Sequence, residues 1–219
     1  MVRLKLVDCL NLYSIFPRRR TLGSEDFEIP TWDRIYEFLL NLANKIRKSG
    51  FKPDVIVGIS RGGWPPARVM SDLLENPHIA NVKAEFYLGV AKTKGEPTIT
   101  QPVSASVRGK KVLVVDEVAD TGKSLRLVRS HLNEEGATEV KIATIYYKPW
   151  SIVVPEYYER ETSLWIVFPW ERKETVRHVI KQYRSEGKTV EEAKEKLVKA
   201  GLNAKLVEQF IREISEGSS

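Results

Sequence analysis

Val112-Leu113-Val114-Val115-Asp116-Glu117-Val118-Ala119-Asp120-Thr121-Gly122-Lys123-Ser124-Leu125 runs from an unbroken apolar segment, through two acids, into a small polar turn and the start of a helix. Four aliphatic residues without polar alternation read as a parallel strand buried on both faces, with Asp116 and Glu117 at its carboxyl end. Open α/β sheets bind their ligands at that end. Gly122 permits a tight bend, and the helix that follows offers backbone N–H groups that favour a phosphate. The order suits a sugar phosphate: the turn holds the phosphate while the carboxylates before it accept hydrogen bonds from ring hydroxyls. A triphosphate-binding P-loop is excluded, because it needs Gly five residues before Gly122 and Glu117 stands there. Asp120 is also placed to cap the helix through Ser124, a role compatible with phosphate binding at the same turn.

A second loop of similar design precedes this one. Thr31 is a plausible N-cap, and Ile35, Phe38, Leu39, Leu42, Ala43 and Ile46 recur at helical spacing until Gly50 and Pro53 close the helix. Val55-Ile56-Val57-Gly58-Ile59 then reads as a buried strand, followed by Ser60-Arg61-Gly62-Gly63 and a helix from Pro65-Pro66 with Val69, Leu73 and Leu74 on its inner side. Two glycines let backbone approach a ligand closely, and Arg61 adds fixed positive charge. Val82 to Leu88 alternates as a strand. The polar segment Gly89 to Pro102 predicts a mobile lid carrying Lys92 and Lys94. After the central stretch, a helix through Leu127, Val128 and Leu132 ends at Gly136, and Val140 to Tyr147 forms another strand that Lys148-Pro149-Trp150 terminates. Residues 151 to 168 are short and aromatic, leading into Leu164-Trp165-Ile166-Val167-Phe168-Pro169-Trp170-Glu171.

The two loops and the aromatic segment together resemble type I phosphoribosyltransferases, and the Lys-Pro and Trp-Ile-x-x-Pro-Trp-acid patterns resemble the bacterial and archaeal hypoxanthine, guanine and xanthine group. The resemblance covers residues 30 to 171. It implies an α/β fold with a mostly parallel sheet flanked by helices, a small hood, and a C-terminal helical appendage. It implies phosphoribosyl pyrophosphate (PRPP) and a purine base as substrates, with a nucleoside monophosphate as product. Asp116 and Glu117 would hold the ribose hydroxyls, and Ala119 and the run Asp120, Thr121, Gly122, Lys123 and Ser124 would wrap the 5′-phosphate. Ser60, Arg61 and Gly62 would form the pyrophosphate loop, with a non-proline cis peptide at Ser60-Arg61. Asp120 and Arg61 would be the catalytic groups, Asp120 beside the base nitrogen. Lys148 would contact a 6-oxo group, Trp165 would stack on the base and the backbone of Ile166 would read the ring edge. Mg²⁺ would be held by Asp116, Glu117 and Glu171, the last standing where Asp is commoner. Adenine is the alternative base, and a PRPP-sensing regulator without catalysis is the alternative class.

At 219 residues the chain fits one α/β domain with an appendage. Residues 1–28 form an extension without assigned chemistry, 29–171 the core with its hood at 149–171, and 172–219 a helical unit. Net charge is +6, yet acids and bases are interleaved, so attraction to a polyanionic small substrate accounts for it without a nucleic-acid partner. Arg18-Arg19-Arg20 is the one basic block and reads as a solvated turn. Cys9 is the only cysteine, which rules out an internal disulfide and points to a cytoplasmic protein. Charges at Arg3, Lys5 and Asp8 break the opening apolar run, so neither a signal peptide nor a membrane span is expected. His78, His131 and His178 lack the spacing of a zinc site. In the tail, Val176, Val179 and Ile180 begin one helix. Thr189 with Glu192 makes a capping box for a second, which Gly201 ends, and Asn203 opens a third carrying Leu206, Val207, Phe210, Ile211 and Ile214. Three short helices cannot bury that stripe alone, so they are expected to dock on the core or on a partner subunit, with homodimer or higher homo-oligomer contact the preferred use.

Overall fold

The computed structural model describes residues 27–86 and 96–216. Cys9, the arginine block and the lid lysines Lys92 and Lys94 lie outside the described residues. By packing, the described chain falls into two units. One is Ile35–Ser163; the other joins residues 27–34 to residues 164–216. Residues 164–171, read from sequence as the end of the core, therefore group with the C-terminal helices.

The first unit is built on a six-stranded sheet. Its strands are β2 (Val55–Ser60), β3 (Ile79–Phe86), β4 (Pro97–Gln101), β5 (Lys111–Ala119), β6 (Glu139–Tyr147) and β7 (Tyr157–Glu161), arranged β4-β3-β2-β5-β6-β7. All neighbours run parallel except β3 and β4. From β2 the chain moves to β3 on one side, and from β5 to β6 on the other. The order thus reverses between β2 and β5, which makes their carboxyl ends the switch point where such sheets open a crevice.

Three helices complete this unit: α1 (Trp32–Lys48), whose first turn belongs to the other unit, α2 (Trp64–Leu73) and α3 (Lys123–Glu134). The Thr31 hydroxyl accepts from the Arg34 N–H at 3.1 Å, as an N-cap should. The six apolar residues of α1 read from its periodicity are the six that are buried. Leu125, Val128 and Leu132 of α3 share a core with Val55, Val57, Val112, Val114 and Val82. Gly58 points the other way on β2, because side chains alternate along a strand, and there a Cβ would come within 2.8 Å of Ala67 on α2. Helix α2 therefore packs closer than aliphatic side chains would allow. Its buried positions are Pro66, Ala67, Met70 and Ser71, while Val69, Leu73 and Leu74 are only half-buried. The sequence reading favoured the bulkier residues and so rotated the helix.

The predicted lid also needs correcting. Residues 97–101 are not loop but the edge strand β4, antiparallel to β3 with Phe86 opposite Pro97 and Ala84 opposite Ile99. Pro97 is tolerated as the first residue of an edge strand. The Thr100 hydroxyl donates to the Glu85 carboxylate at 2.7 Å across the pair.

In the second unit, β1 (Phe27–Glu28) pairs with β8 (Trp165–Ile166) beside α4 (Arg172–Ser185), α5 (Val190–Lys199) and α6 (Ala204–Glu216). The capping box of Thr189 and Glu192 forms as expected, and Asn203 Oδ1 accepts from the Leu206 N–H at 3.1 Å. The three helices do bury a shared cluster, through Val176, Val179, Ile180, Ala193, Leu197 and Val207, closed by Phe27 of the strand pair and by Val167 just after it. The strand pair is what the sequence reading lacked when it judged the helices unable to cover themselves. Phe210, Ile211 and Ile214 remain only partly covered. No helix among the described residues is long and apolar enough to cross a membrane.

Replacing the α6 cap, Asn203→Ala, should cost about 1 kcal/mol. Differential scanning calorimetry is expected to show a transition lowered by about 3 °C, and an unchanged transition would mean that the cap contributes nothing.

Candidate functional site

The site grows from the ends of β2 and β5. The carboxylates of Asp116 and Glu117 sit side by side, both half-buried, and Asp116 Oδ1 accepts from the Glu117 N–H at 3.1 Å. Pressed against them is the loop after β2. A Cβ on Gly62 would overlap the Glu117 carboxylate, and one on Gly63 would lie 2.6 Å from Asp116 Oδ1 and 2.6 Å from the Val115 carbonyl. At Gly63 only glycine fits, because backbone oxygens of Val115 and Ile59 lie in the way, whereas a side chain at Gly62 would displace the Glu117 carboxylate. The Ser60–Arg61 peptide at the head of this loop is cis, and Arg61 itself is exposed.

Burial dominates the electrostatics of the pair. It raises the Asp116 carboxyl to about 6, against opposing hydrogen bonds from the Glu117 side chain and backbone. Glu117 is pushed well above the carboxylate range, first by burial and then by the neighbouring Asp116 charge, with Arg61 among the weaker opposing influences. Glu117 Oε2 is buried and has no hydrogen-bond partner. Two acids with raised pKa values and an orphaned oxygen suit a cation or a set of hydroxyl donors.

The bend after β5 forms the other wall. Gly122 is left-handed at φ 76° and serves as the N-cap of α3, and no side chain caps that helix. The Asp120 carboxylate does not take up the capping role. It accepts instead from Trp150 Nε1 at 3.0 Å. Thr121 Oγ1 makes a long 3.4 Å contact from the Lys123 N–H, so the first turn of α3 keeps amides for an anion. The Lys123 ammonium pairs with Glu96 at 2.8 Å.

The segment after β6 is strapped to this bend. Lys148 N–H donates to the Ala119 carbonyl and Ile152 N–H to the Thr121 carbonyl, both at 3.0 Å. A Cβ on Gly122 would lie 2.6 Å from Ser151 Oγ and 2.7 Å from the Val153 nitrogen. Lys148 is buried, and its ammonium lies over the Trp150 ring, 5.5 Å from the centroid.

Thus Ser60, Arg61, Gly62, Asp116, Glu117, Ala119, Asp120, Thr121, Gly122, Lys123, Ser124 and Lys148 all belong to the first unit. Trp165, Ile166 and Glu171 belong to the second. There Trp165 stacks on His178 at 5.6 Å, Ile166 is buried, and Glu171 Oε1 accepts from the Phe168 N–H at 3.4 Å. His178 is half-buried. Burial lowers its pKa, and no spacing rule links it to Trp165. Trp170 stacks on Phe168 at 5.0 Å and is half-buried.

Mg²⁺ can be tested against this donor set. Among the described residues no three or more His, Cys, Asp or Glu side chains converge as a cage. Asp116 and Glu117 still fit the ion, because Mg²⁺ is bound through one or two carboxylates with the remaining positions filled by water and substrate phosphates, and Glu117 Oε2 is an acceptor in want of a partner.

Strand order, glycine-lined acids and an amide-rich bend at the switch point define an α/β protein with a crevice whose walls suit an anionic ligand. The chain belongs to the phosphoribosyl transferase domain family, whose model matches residues 29–175. It is 29% identical over 143 residues to a xanthine-guanine phosphoribosyltransferase of Gluconobacter oxydans, covering 64% of this chain and 82% of the relative. A second xanthine-guanine phosphoribosyltransferase, from Cereibacter sphaeroides, is 30% identical over 150 residues, covering 64% and 84%. Among solved structures, a purine phosphoribosyltransferase from Pyrococcus horikoshii Ot3 is 40% identical with a TM-score of 0.60, covering 66% of this chain and 93% of that one.

Two outcomes test the geometry. Because burial raises both carboxyls, the folded chain holds more protons than the unfolded chain from the ordinary carboxylate range up through about 6 and beyond. Their contribution to stability therefore falls as pH rises through that window. In metal-free buffer, the melting temperature of Glu117→Gln should overtake that of wild type by a margin that widens from about pH 4.5 to 7.5; a margin independent of pH contradicts the buried pair. Gly122→Ala should destabilise by more than ~1 kcal/mol, because the left-handed backbone and the Ser151 and Val153 contacts both oppose a Cβ. Urea denaturation checks this, and an unaltered midpoint would refute it.

Proposed function

We propose that the chain transfers the 5-phosphoribosyl group of PRPP to N9 of a purine, preferring a 6-oxopurine, and releases pyrophosphate and a nucleoside 5′-monophosphate. One observation carries the reading: a half-buried acid pair facing a double-glycine loop across the switch point, with an uncapped helix start beside it. The names of the relatives support it and favour xanthine, guanine and hypoxanthine over adenine.

In this reading Asp116 and Glu117 accept hydrogen bonds from the ribose hydroxyls. The amides from Ala119 through Ser124 hold the 5′-phosphate. Arg61, Ser60 and the Gly62 backbone receive the pyrophosphate, which leaves with the electron pair of its bond to C1′ as the C1′–N9 bond forms. Asp120 takes up or shares the base proton, and its charge also opposes the positive charge that develops on the ribose. Lys148 donates to the 6-oxo group; the resemblance also assigns base stacking to Trp165, a contact of ~1–3 kcal/mol for base on aromatic, and the ring edge to the Ile166 backbone. Bound Mg²⁺, held at Asp116 and Glu117 with Glu171 as the remaining acid the resemblance assigns, supplies charge neutralisation of the pyrophosphate. A cytoplasmic location and self-association belong to the same proposal.

Initial rates with PRPP and each of xanthine, guanine, hypoxanthine and adenine test the reading. At least one 6-oxopurine should be used at least roughly tenfold faster than adenine, because polar groups matched to a carbonyl are left unpaired by an amine. Tight PRPP binding without pyrophosphate release from any purine would instead identify a binding protein. Asp120→Asn should lower turnover ~100-fold, the scale of general acid–base catalysis, while PRPP affinity changes little; equal losses in both would contradict a catalytic role.

A further inference from the structure

Trp150 was read from sequence only as part of the strand-terminating tripeptide, and neither the resemblance nor the reaction above gives it a task. It is 46% exposed, so core packing does not explain it. Its position is nonetheless tightly set. The Ser151 N–H donates to the Lys148 carbonyl at 2.9 Å, closing a four-residue turn with Pro149 in the second position, where a fixed φ is favoured. That turn is held against the phosphate bend on both sides of Trp150, by Lys148 to Ala119 and Ile152 to Thr121, and by the close approach of Gly122 to Ser151 and Val153. From there the indole reaches two groups at once. Nε1 donates to Asp120 Oδ1 at 3.0 Å, and the ring face carries the Lys148 ammonium 5.5 Å from its centroid.

We propose that Trp150 is a positioning residue for the transfer, one side chain that orients both the Asp120 carboxylate and the Lys148 ammonium toward the base. The proposal rests on the phosphoribosyl-transfer reading for what those two groups do. A carboxylate has two oxygens and about four acceptor sites, so the indole can occupy Oδ1 while Oδ2 stays available to a base nitrogen. A hydrogen bond to an ionised group is stronger than a neutral one and fixes a rotamer more firmly. The cation–π contact limits the sweep of a four-carbon lysine stem through the ring face rather than through a hydrogen-bond acceptor. Donor and ring belong to the same residue, so the distance between acid and ammonium is set by one turn.

The test separates the two contacts. Trp150→Phe keeps a ring under Lys148 and removes the donor; Trp150→Leu removes both. With the best purine substrate, Trp150→Phe should lower kcat roughly tenfold, a fraction of the ~100-fold expected for losing the Asp120 carboxylate itself, with the PRPP KM within about twofold. Trp150→Leu should in addition raise the purine KM several-fold. Introduced into Asp120→Asn, Trp150→Phe should cause no further loss of kcat, because a residue acting through Asp120 is silent once that carboxylate is gone. The proposal fails if Trp150→Phe retains wild-type kcat, if it raises activity as removal of an obstructing side chain would, or if its loss is the same in both backgrounds. Wild-type protein inactive with every purine would remove the enzymatic reading and this proposal together, whereas an active wild type with an indifferent Trp150→Phe removes only this one.

Discussion

Two carboxylates held side by side where burial opposes their ionisation are the constraint around which the first unit is arranged. Asp116 and Glu117 are adjacent on β5, and the raised pKa values show that the fold itself supplies too little to offset their charge. In a protein selected for stability alone an apolar residue would serve better at these positions. The backbone of Gly62 and Gly63 pressing on both acids shows that the space was shaped rather than left over. A ligand rich in hydroxyls and accompanied by a divalent cation meets both needs at once: it satisfies the oxygens and neutralises the charge.

The sheet order turns that local feature into a site. Because the chain departs in opposite directions after β2 and β5, their loops converge without a helix crossing between them, so one loop can offer glycine backbone and the other an amide-lined bend. The strap after β6 adds a third wall and couples it covalently to the side chains that follow it. Three consecutive stretches, 60–63, 116–124 and 148–153, are in this way locked together by backbone hydrogen bonds and close packing, which is what pre-organisation of a reacting centre requires.

Much of this could be read from sequence because it is local. The burial of α1, the capping box at Thr189 and the strand–acid–turn order from Val112 to Ser124 each depend on residues within a turn or two of one another, and the structure agrees with all three. What escaped depends on partners far along the chain. The phase of α2 is decided by Ala67 meeting Gly58, not by its own aliphatic residues. Strand β4 carries only Ile99 as a large apolar side chain and exists because β3 offers an open edge. The hydrogen bond from Trp150 to Asp120 spans thirty positions, and the stack of His178 on Trp165 joins a helix to a two-residue strand. No periodicity announces either one.

The most direct measurement is electron density from a crystal soaked with PRPP and Mg²⁺. The 5′-phosphate should lie against the amides of residues 121–124 and the ribose hydroxyls should bridge to the carboxylates of Asp116 and Glu117. PRPP bound elsewhere, or bound there with both acids turned away from the sugar, would contradict the claim that this strand tip was built to hold a phosphorylated pentose.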